Sequence, residues 1–174
     1  VSYAATAADG EIDSEQIEEE KARVYAPLEV SGDSMGWKEL NAGICRIMQD
    51  YCGQYKSEET LQVGLQLLGD VRKSEASKVS AANPHELARA MECHSIITAG
   101  EAVIQASLAR KASSAWLNFT RLDYPSVDPP EWNKLLAIKQ KNGEVCVTEM
   151  PLDYHLQAPY AATYEENYQQ HSDL

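Results

Sequence analysis

Basic residues are scarce in this chain of 174 residues. Fifteen Lys and Arg stand against 27 Asp and Glu, for a formal net charge of −12. Without a basic surface to neutralise phosphates, nucleic acid and anionic membranes are excluded as main partners. A partner with a basic patch fits the charge better. Long hydrophobic runs are also missing. No stretch approaches the roughly 18 apolar residues of a spanning helix, so no membrane span is expected. No basic n-region precedes an apolar segment, so no secretory leader is expected either, and the location read from this is cytoplasmic.

The usual catalytic and cofactor motifs are absent too. Cys45, Cys52, Cys93 and Cys146 form no C-x-x-C pair and no His/Cys cluster with metal spacing, and they are expected to be buried free thiols. Only four histidines occur: His85, His94, His155 and His171. None lies in a G-x-S-x-G or papain-like setting, which argues against a hydrolase triad. His85 and His94 are nine apart, with no carboxylate cluster to complete a metal site. There is no G-x-G-x-x-G and no P-loop, so no phosphate-cradling motif is present. One Phe against nine Tyr means that aromatic packing falls to rings with a polar tip.

What the chain does have is helical periodicity. The hydrophobic share of 44% supports a real core. Residues 1–12, starting at Val1 without a Met, read as a severed linker. Asp13 or Ser14 caps a first helix through EQIEEEKARVYAPL that stops or kinks at Pro27. Seven acids and no base lie between Asp9 and Glu20, the composition of a solvated face with carboxylates at the positive end of the helix dipole. Trp37, Leu40, Ile44, Ile47, Met48, Tyr51, Cys52 and Tyr55 predict a second helix by their three- and four-residue steps. Leu61, Leu65, Leu68 and Val71 predict a third, fading toward Ser80. Asn83-Pro84 is a cap followed by Pro at the first helical position. It opens the longest helix, predicted to reach about Ser113, with Leu87, Met91, His94, Ile97, Glu101, Ile104 and Leu108 on its apolar stripe.

After Pro125 the pattern changes. Residues 129–139 read as extended, Lys141-Asn142-Gly143 as a turn, and Val145, Val147 and Glu149 as a return strand. The predicted fold is mainly α. It is an antiparallel three-helix bundle with a leading helix (13–118), a loop and small β-hairpin (119–150), and an extended tail (151–174).

Two constellations are candidates for chemistry. His94 and Glu101 lie on one helix stripe, where burial would perturb their pKa values and could make a proton-transfer pair. The plainer reading gives each a backbone group or an Arg such as Arg46, Arg72 or Arg121. Arg121 and Asp123 alternate, so in extended chain they point the same way. They form either a local anchor at the exit from the bundle or a contact with an adjacent domain or subunit.

Three stretches carry a resemblance. EQIEEEKARVYAPLEV, then Trp37 to Gly53 with Ile47-Met48 and Tyr51, then HELARAMECHSIITAGEAVIQASLARK with RLDYP and DPPEW follow one another in order. Together they resemble the C-terminal helical part of the flavoprotein subunits of succinate dehydrogenase, fumarate reductase and adenylylsulfate reductase. Pro84-His85-Glu86-Leu87 with Arg89 and Glu92 look closest to the adenylylsulfate reductase branch. Arg121, Asp123 and Pro125 match the family's Arg-x-Asp-x-Pro. The Glu-Ser-Arg-Gly-x-His that usually precedes it is replaced by Ser114, Ala115, Trp116, Leu117 and Phe119, which marks a divergent member.

The resemblance implies an FAD-dependent oxidoreductase whose flavin and catalytic residues lie upstream of this chain. No catalytic, cofactor-binding or metal residue is carried over. Arg121, Asp123, Pro125, His94 and Glu101 are interface or structural candidates, and the fragment alone is expected to be inactive. The implied partners are the chain's own upstream FAD-binding domain and an iron–sulfur electron-transfer subunit. The competing expectation is a stand-alone acidic helical interaction module without catalytic activity.

Overall fold

Each of three helices begins where the sequence places a cap. In this computed structural model, which describes residues 13–142 and 144–152, Asp13 Oδ1 accepts the N–H groups of Glu15 and Gln16 at 3.0 and 3.1 Å. That satisfies donors that a helix start leaves bare. Helix α1 then runs Ser14–Tyr25 and buries none of its residues, as a solvated acidic face would. A 3-10 turn, Ala26–Leu28, carries buried Pro27 toward the bundle, and the Pro27 carbonyl accepts the Ala81 N–H at 2.8 Å.

Helix α2 is Trp37–Tyr51. A two-residue strand β1, Tyr55–Lys56, follows it. Helix α3, Glu58–Ser74, opens on a reciprocal box, with Thr60 N–H on Ser57 Oγ and Ser57 N–H on Thr60 Oγ1. The polar stretch after it forms only a 3-10 turn, Ala76–Lys78. Helix α4, Pro84–Ala109, starts with Asn83 Oδ1 accepting the Glu86 N–H at 3.0 Å. Strand β2 is Thr120–Arg121. Strands β3, Lys134–Lys141, and β4, Glu144–Pro151, pair antiparallel from Lys134↔Pro151 to Lys141↔Glu144. Asn142, with φ of 53°, takes the left-handed conformation that a tight hairpin turn requires. The hairpin rests on α4. No helix among the described residues is long and apolar enough to cross a membrane.

Helices α2, α3 and α4 pack on one another around Leu40, Ile44, Leu61, Leu68, Ile97 and Ile104. The mainly α bundle with a leading helix and a hairpin is therefore the observed architecture. Two glycines set how closely the helices approach. A Cβ on Gly64 would lie 2.7 Å from Tyr51 Cβ, and one on Gly100 would lie 3.1 Å from Leu68 Cδ1 and Met48 Sδ.

The structure corrects several expectations. The buried line of α4 is Ala90, Cys93, Ile97, Gly100, Ile104 and Ser107, so the stripe is rotated about one position from the predicted one. Small residues occupy its centre because the neighbouring helices come close, and Met91 and Leu108 flank it. Helix α4 ends at Ala109, not near Ser113. Arg110 leaves the helical region, and the last carbonyls are taken by a side chain described below. Residues 130–132 form a 3-10 turn, Pro130–Trp132, in place of the predicted extended chain. Trp132 N–H closes on Pro129 O at 2.9 Å.

The parallel pair of β1 with β2 has no counterpart in the predicted elements. The four thiols are free, but only Cys93 is buried, and Cys45 and Cys146 are exposed. The linker expected at 1–12 and the tail beyond Leu152, with His155 and His171, lie outside the described residues.

Candidate functional site

The largest fully buried side chain of the described residues is an arginine. Arg121 is 0% exposed. A buried guanidinium must exchange its water for other acceptors, or the desolvation cost is heavy. Here every arm is used. Nε and Nη2 donate to the two oxygens of Asp123 at 2.8 and 2.7 Å. Nη1 donates to the carbonyls of Ser107 at 2.5 Å and Arg110 at 2.9 Å. Those carbonyls belong to the end of α4, where the helix leaves acceptors bare and its dipole favours a cation. The Tyr124 ring sits 4.9 Å from the guanidinium carbon.

Asp123 extends the knot. Its Oδ2 also accepts the Glu58 N–H at 2.8 Å, at the positive start of α3. The Arg121 guanidinium, helped by that N–H, holds the Asp123 carboxyl at about 2 against burial, which acts the other way. The backbone is tied as well. Thr120 N–H donates to Gln54 O at 3.0 Å, and Leu122 N–H to Lys56 O at 2.8 Å. Arg121 N–H donates to Ser113 Oγ, whose hydroxyl donates to Tyr124 O, both at 2.9 Å. One short stretch of chain thus joins the end of α4, strand β1 and the start of α3. Pro125 is exposed beside this knot, on the rim of a groove shared with Gln54 and Phe119.

The positions where the resemblance expects Glu-Ser-Arg-Gly-x-His make a tight turn. Ser114 and Phe119 exchange N–H···O bonds at 2.8 and 3.0 Å. Asp128 Oδ2 accepts the Ala115 N–H at 3.0 Å. Asn118 is left-handed, with φ of 48°, and its Oδ1 accepts from Gln54 Nε2 at 2.8 Å. The turn projects Trp116, 91% exposed, and Leu117, 64% exposed. Phe119, at the expected His position, has the Lys56 ammonium over its ring at 4.2 Å. Lys56 is buried. Burial pushes its pKa down and nearby Arg121 adds to this, with Cys52 opposing. A protonatable imidazole at 119 would place a third cation beside Lys56 and Arg121, whereas a phenyl ring offers its negative face.

His94 and Glu101 lie elsewhere. From His94 to Ser107 is about 20 Å of helix axis at 1.5 Å per residue. Glu101 is bound by Arg72 of α3, with Nε to Oε1 at 3.1 Å and Nη2 to Oε2 at 2.7 Å, and Thr98 Oγ1 also accepts Nη2 at 2.9 Å. His94 is half-buried in a groove with Arg23, Arg72 and Met91. Burial, then the two arginines, lower its pKa. Arg72 is among the partners that the sequence suggests for Glu101. Lys56, Ser113 and Asp128 escape sequence reasoning, since nothing near them in the chain marks them.

Among the described residues, the helix starts do not fit the pyrophosphate of a flavin nucleotide. Asp13, Asn83 and the Ser57–Asp123 pair already occupy three of them. The fourth, at Gly36, follows a single bridge between Met35 and Val79, not a glycine-rich turn.

Residues 41–166 match the family described as fumarate reductase flavoprotein C-term. Among solved structures, adenosine-5-phosphosulfate reductase in complex with sulfite superposes with a TM-score of 0.75 at 26% identity, over 82% of this chain and 25% of that one. Adenylylsulfate reductase from the hyperthermophilic Archaeoglobus fulgidus gives a TM-score of 0.75 at 26% identity, over 82% and 25%. Mycobacterium smegmatis Sdh1 in complex with UQ1 gives 0.68 at 22% identity, over 86% of this chain and 26% of that one, a likeness of fold. The chain therefore spans about a quarter of the length of the structures it matches. Comparison with curated proteins gives no match.

Proposed function

The chain belongs to the fumarate reductase flavoprotein C-terminal family, and we propose that it is the closing part of a longer FAD-dependent oxidoreductase subunit. The observation that carries this reading is the family match over residues 41–166 in a chain that covers only a quarter of its structural relatives. The flavin supplies hydride and electron transfer, and it is held by residues upstream of this chain. The bundle braces that flavin domain and contributes to the surface that receives an iron–sulfur electron-transfer subunit.

In this reading Arg121, Asp123 and Pro125 are positioning residues. The buried knot fixes the end of α4 against α3 and β1, so that the loops leaving it keep one shape. Rigidity at such a seam matters because a misplacement of about 1 Å remote from the reacting atoms costs on the order of 100-fold in rate. Glu101 and His94 belong to the packing of α3 and α1 on α4.

The test is the gene and its product. The reading frame is expected to continue upstream of Val1 into a flavin-binding domain, and the native polypeptide to purify yellow with bound FAD. A native polypeptide the size of this chain, free of flavin, would overturn the reading.

A further inference from the structure

A groove of about 580 Å³ runs between the 114–117 turn and the base of the hairpin, lined by Trp116, Leu117, Pro129, Pro130, Leu135 and Leu152 among others. Trp116, Leu117, Leu135 and Leu152 are all exposed along it. Apolar side chains gathered in this way mark a surface that something covers. The volume is that of sites enclosing a small molecule, roughly 300–1,000 Å³. A slot of that size takes the side chains of one stretch of chain, not a broad domain face.

The charged groups at its edge are already engaged. Asp128 Oδ2 accepts the Ala115 N–H at 3.0 Å, and the Lys134 ammonium is 2.9 Å from Glu149. The Arg110 guanidinium and Lys134 both face the Trp132 ring. The groove therefore suits an apolar occupant better than a charged one. One such segment starts on its wall. Strand β4 ends at Pro151, and Leu152, itself a lining residue, lies in a turn. The chain then reads Asp153, Tyr154, His155, Leu156, Gln157, Ala158, Pro159 and Tyr160. Polar and apolar residues alternate from Asp153 to Ala158, so in extended chain Tyr154, Leu156 and Ala158 fall on one side.

We propose that the start of this chain's own tail, residues 153–160, folds back into the groove and seats Tyr154 and Leu156 against Trp116 and Leu117. Attachment favours this occupant over a second copy or a separate subunit. A segment tethered at the wall meets the groove at an effective concentration on the order of millimolar, without paying for association of two molecules. Tyrosine suits the place, because its ring can lie on an indole while its hydroxyl stays in water. The receiving turn is fixed by its own backbone bonds between Ser114 and Phe119, so the groove keeps its shape for the tail. The inference rests on the groove and on where the chain leaves it, not on which longer polypeptide contains the chain.

The test places a photoreactive benzophenone amino acid at Leu117 in the native polypeptide that contains this chain, irradiates it and maps the cross-linked peptides by mass spectrometry. Leu117 is exposed, so its replacement is expected to leave the unfolding midpoint unchanged. The same group placed at Trp116, also exposed, gives an independent reading. Both are expected to cross-link to residues 153–160 within one molecule. Tyr154→Asp combined with Leu156→Asp should lower that yield about tenfold, the order expected when two apolar side chains leave a groove. Cross-links that run instead to a second copy, an upstream domain or another subunit would overturn the proposal. So would the absence of any product at 153–160, or an unchanged yield from the double variant.

Discussion

Two arginine–carboxylate pairs that look alike and do different things meet helix α4. In its middle, Arg72 and Glu101 meet at 2.7 Å with side chains 38% and 27% exposed. At its end, Arg121 and Asp123 also meet at 2.7 Å, but the arginine is 0% exposed. The distance is the same and the environment is not. Water can replace either partner of the first pair, so breaking it leaves two groups that solvent can still satisfy. In the second, removing the arginine strips the carbonyls of Ser107 and Arg110 of their donor, while Asp123, with its side chain 29% exposed, can still turn to water. Burial and the number of acceptors, not ion-pair length, decide which pair holds the fold.

The sharpest test of that contrast is a matched substitution. Arg121→Met is expected to destabilise the bundle by about 2–4 kcal/mol, the scale for leaving two backbone carbonyls at the end of α4 without their donor. Arg72→Met is expected to cost about 1 kcal/mol or less. Urea unfolding of both variants measures this, and equal costs would break the comparison.

Acid should separate the two pairs next. Asp123 has its folded pKa lowered from 3.8 to about 2. Its contribution is therefore complete above the unfolded value and is lost as pH falls from there through the folded one. Solvent screens this exposed carboxylate, so the stability at stake is less than the roughly 2 kcal/mol that the full shift would represent. Denaturation midpoints taken between neutral pH and the acid limb should show that loss, and Asp123→Asn should flatten it.

The smallest effect concerns His94. Its lowered folded pKa means that the unfolded chain takes up the proton first. Stability should decline slightly as pH falls below the ordinary imidazole value near 6.5. His94→Gln should remove that slope, and an NMR titration of His94 at or above the ordinary value would refute the assignment.

Much of the fold is legible in the sequence because its signals are local. Asp13, Ser57 with Thr60, and Asn83-Pro84 act on N–H groups within four positions, so they can be read without knowing the rest. Asn142 likewise sets its own turn. The stripe of α4 comes out one position off because large apolar residues dominate the periodicity, while the helix seam selects Ala90, Gly100 and Ser107. For the candidate site, Arg121 and Asp123 are legible as a pair, but not their reach. The acceptors and donors they use lie up to 65 positions away. Strands β1 and β2, two residues each, have no periodicity to read, and Lys56 is buried only because β2 lies beside it.

By itself the sequence determined the helix starts, the hairpin turn and the order of stretches that resembles a flavoprotein C-terminal part. These depend on short-range hydrogen bonding and residue pattern. Only the tertiary structure decided that Arg121 is buried and Trp116 is not, and that the end of α4 is closed by a side chain rather than by water. Desolvation is a property of everything packed around a group, and for Arg121 that packing comes from α3, α4 and β1 at once.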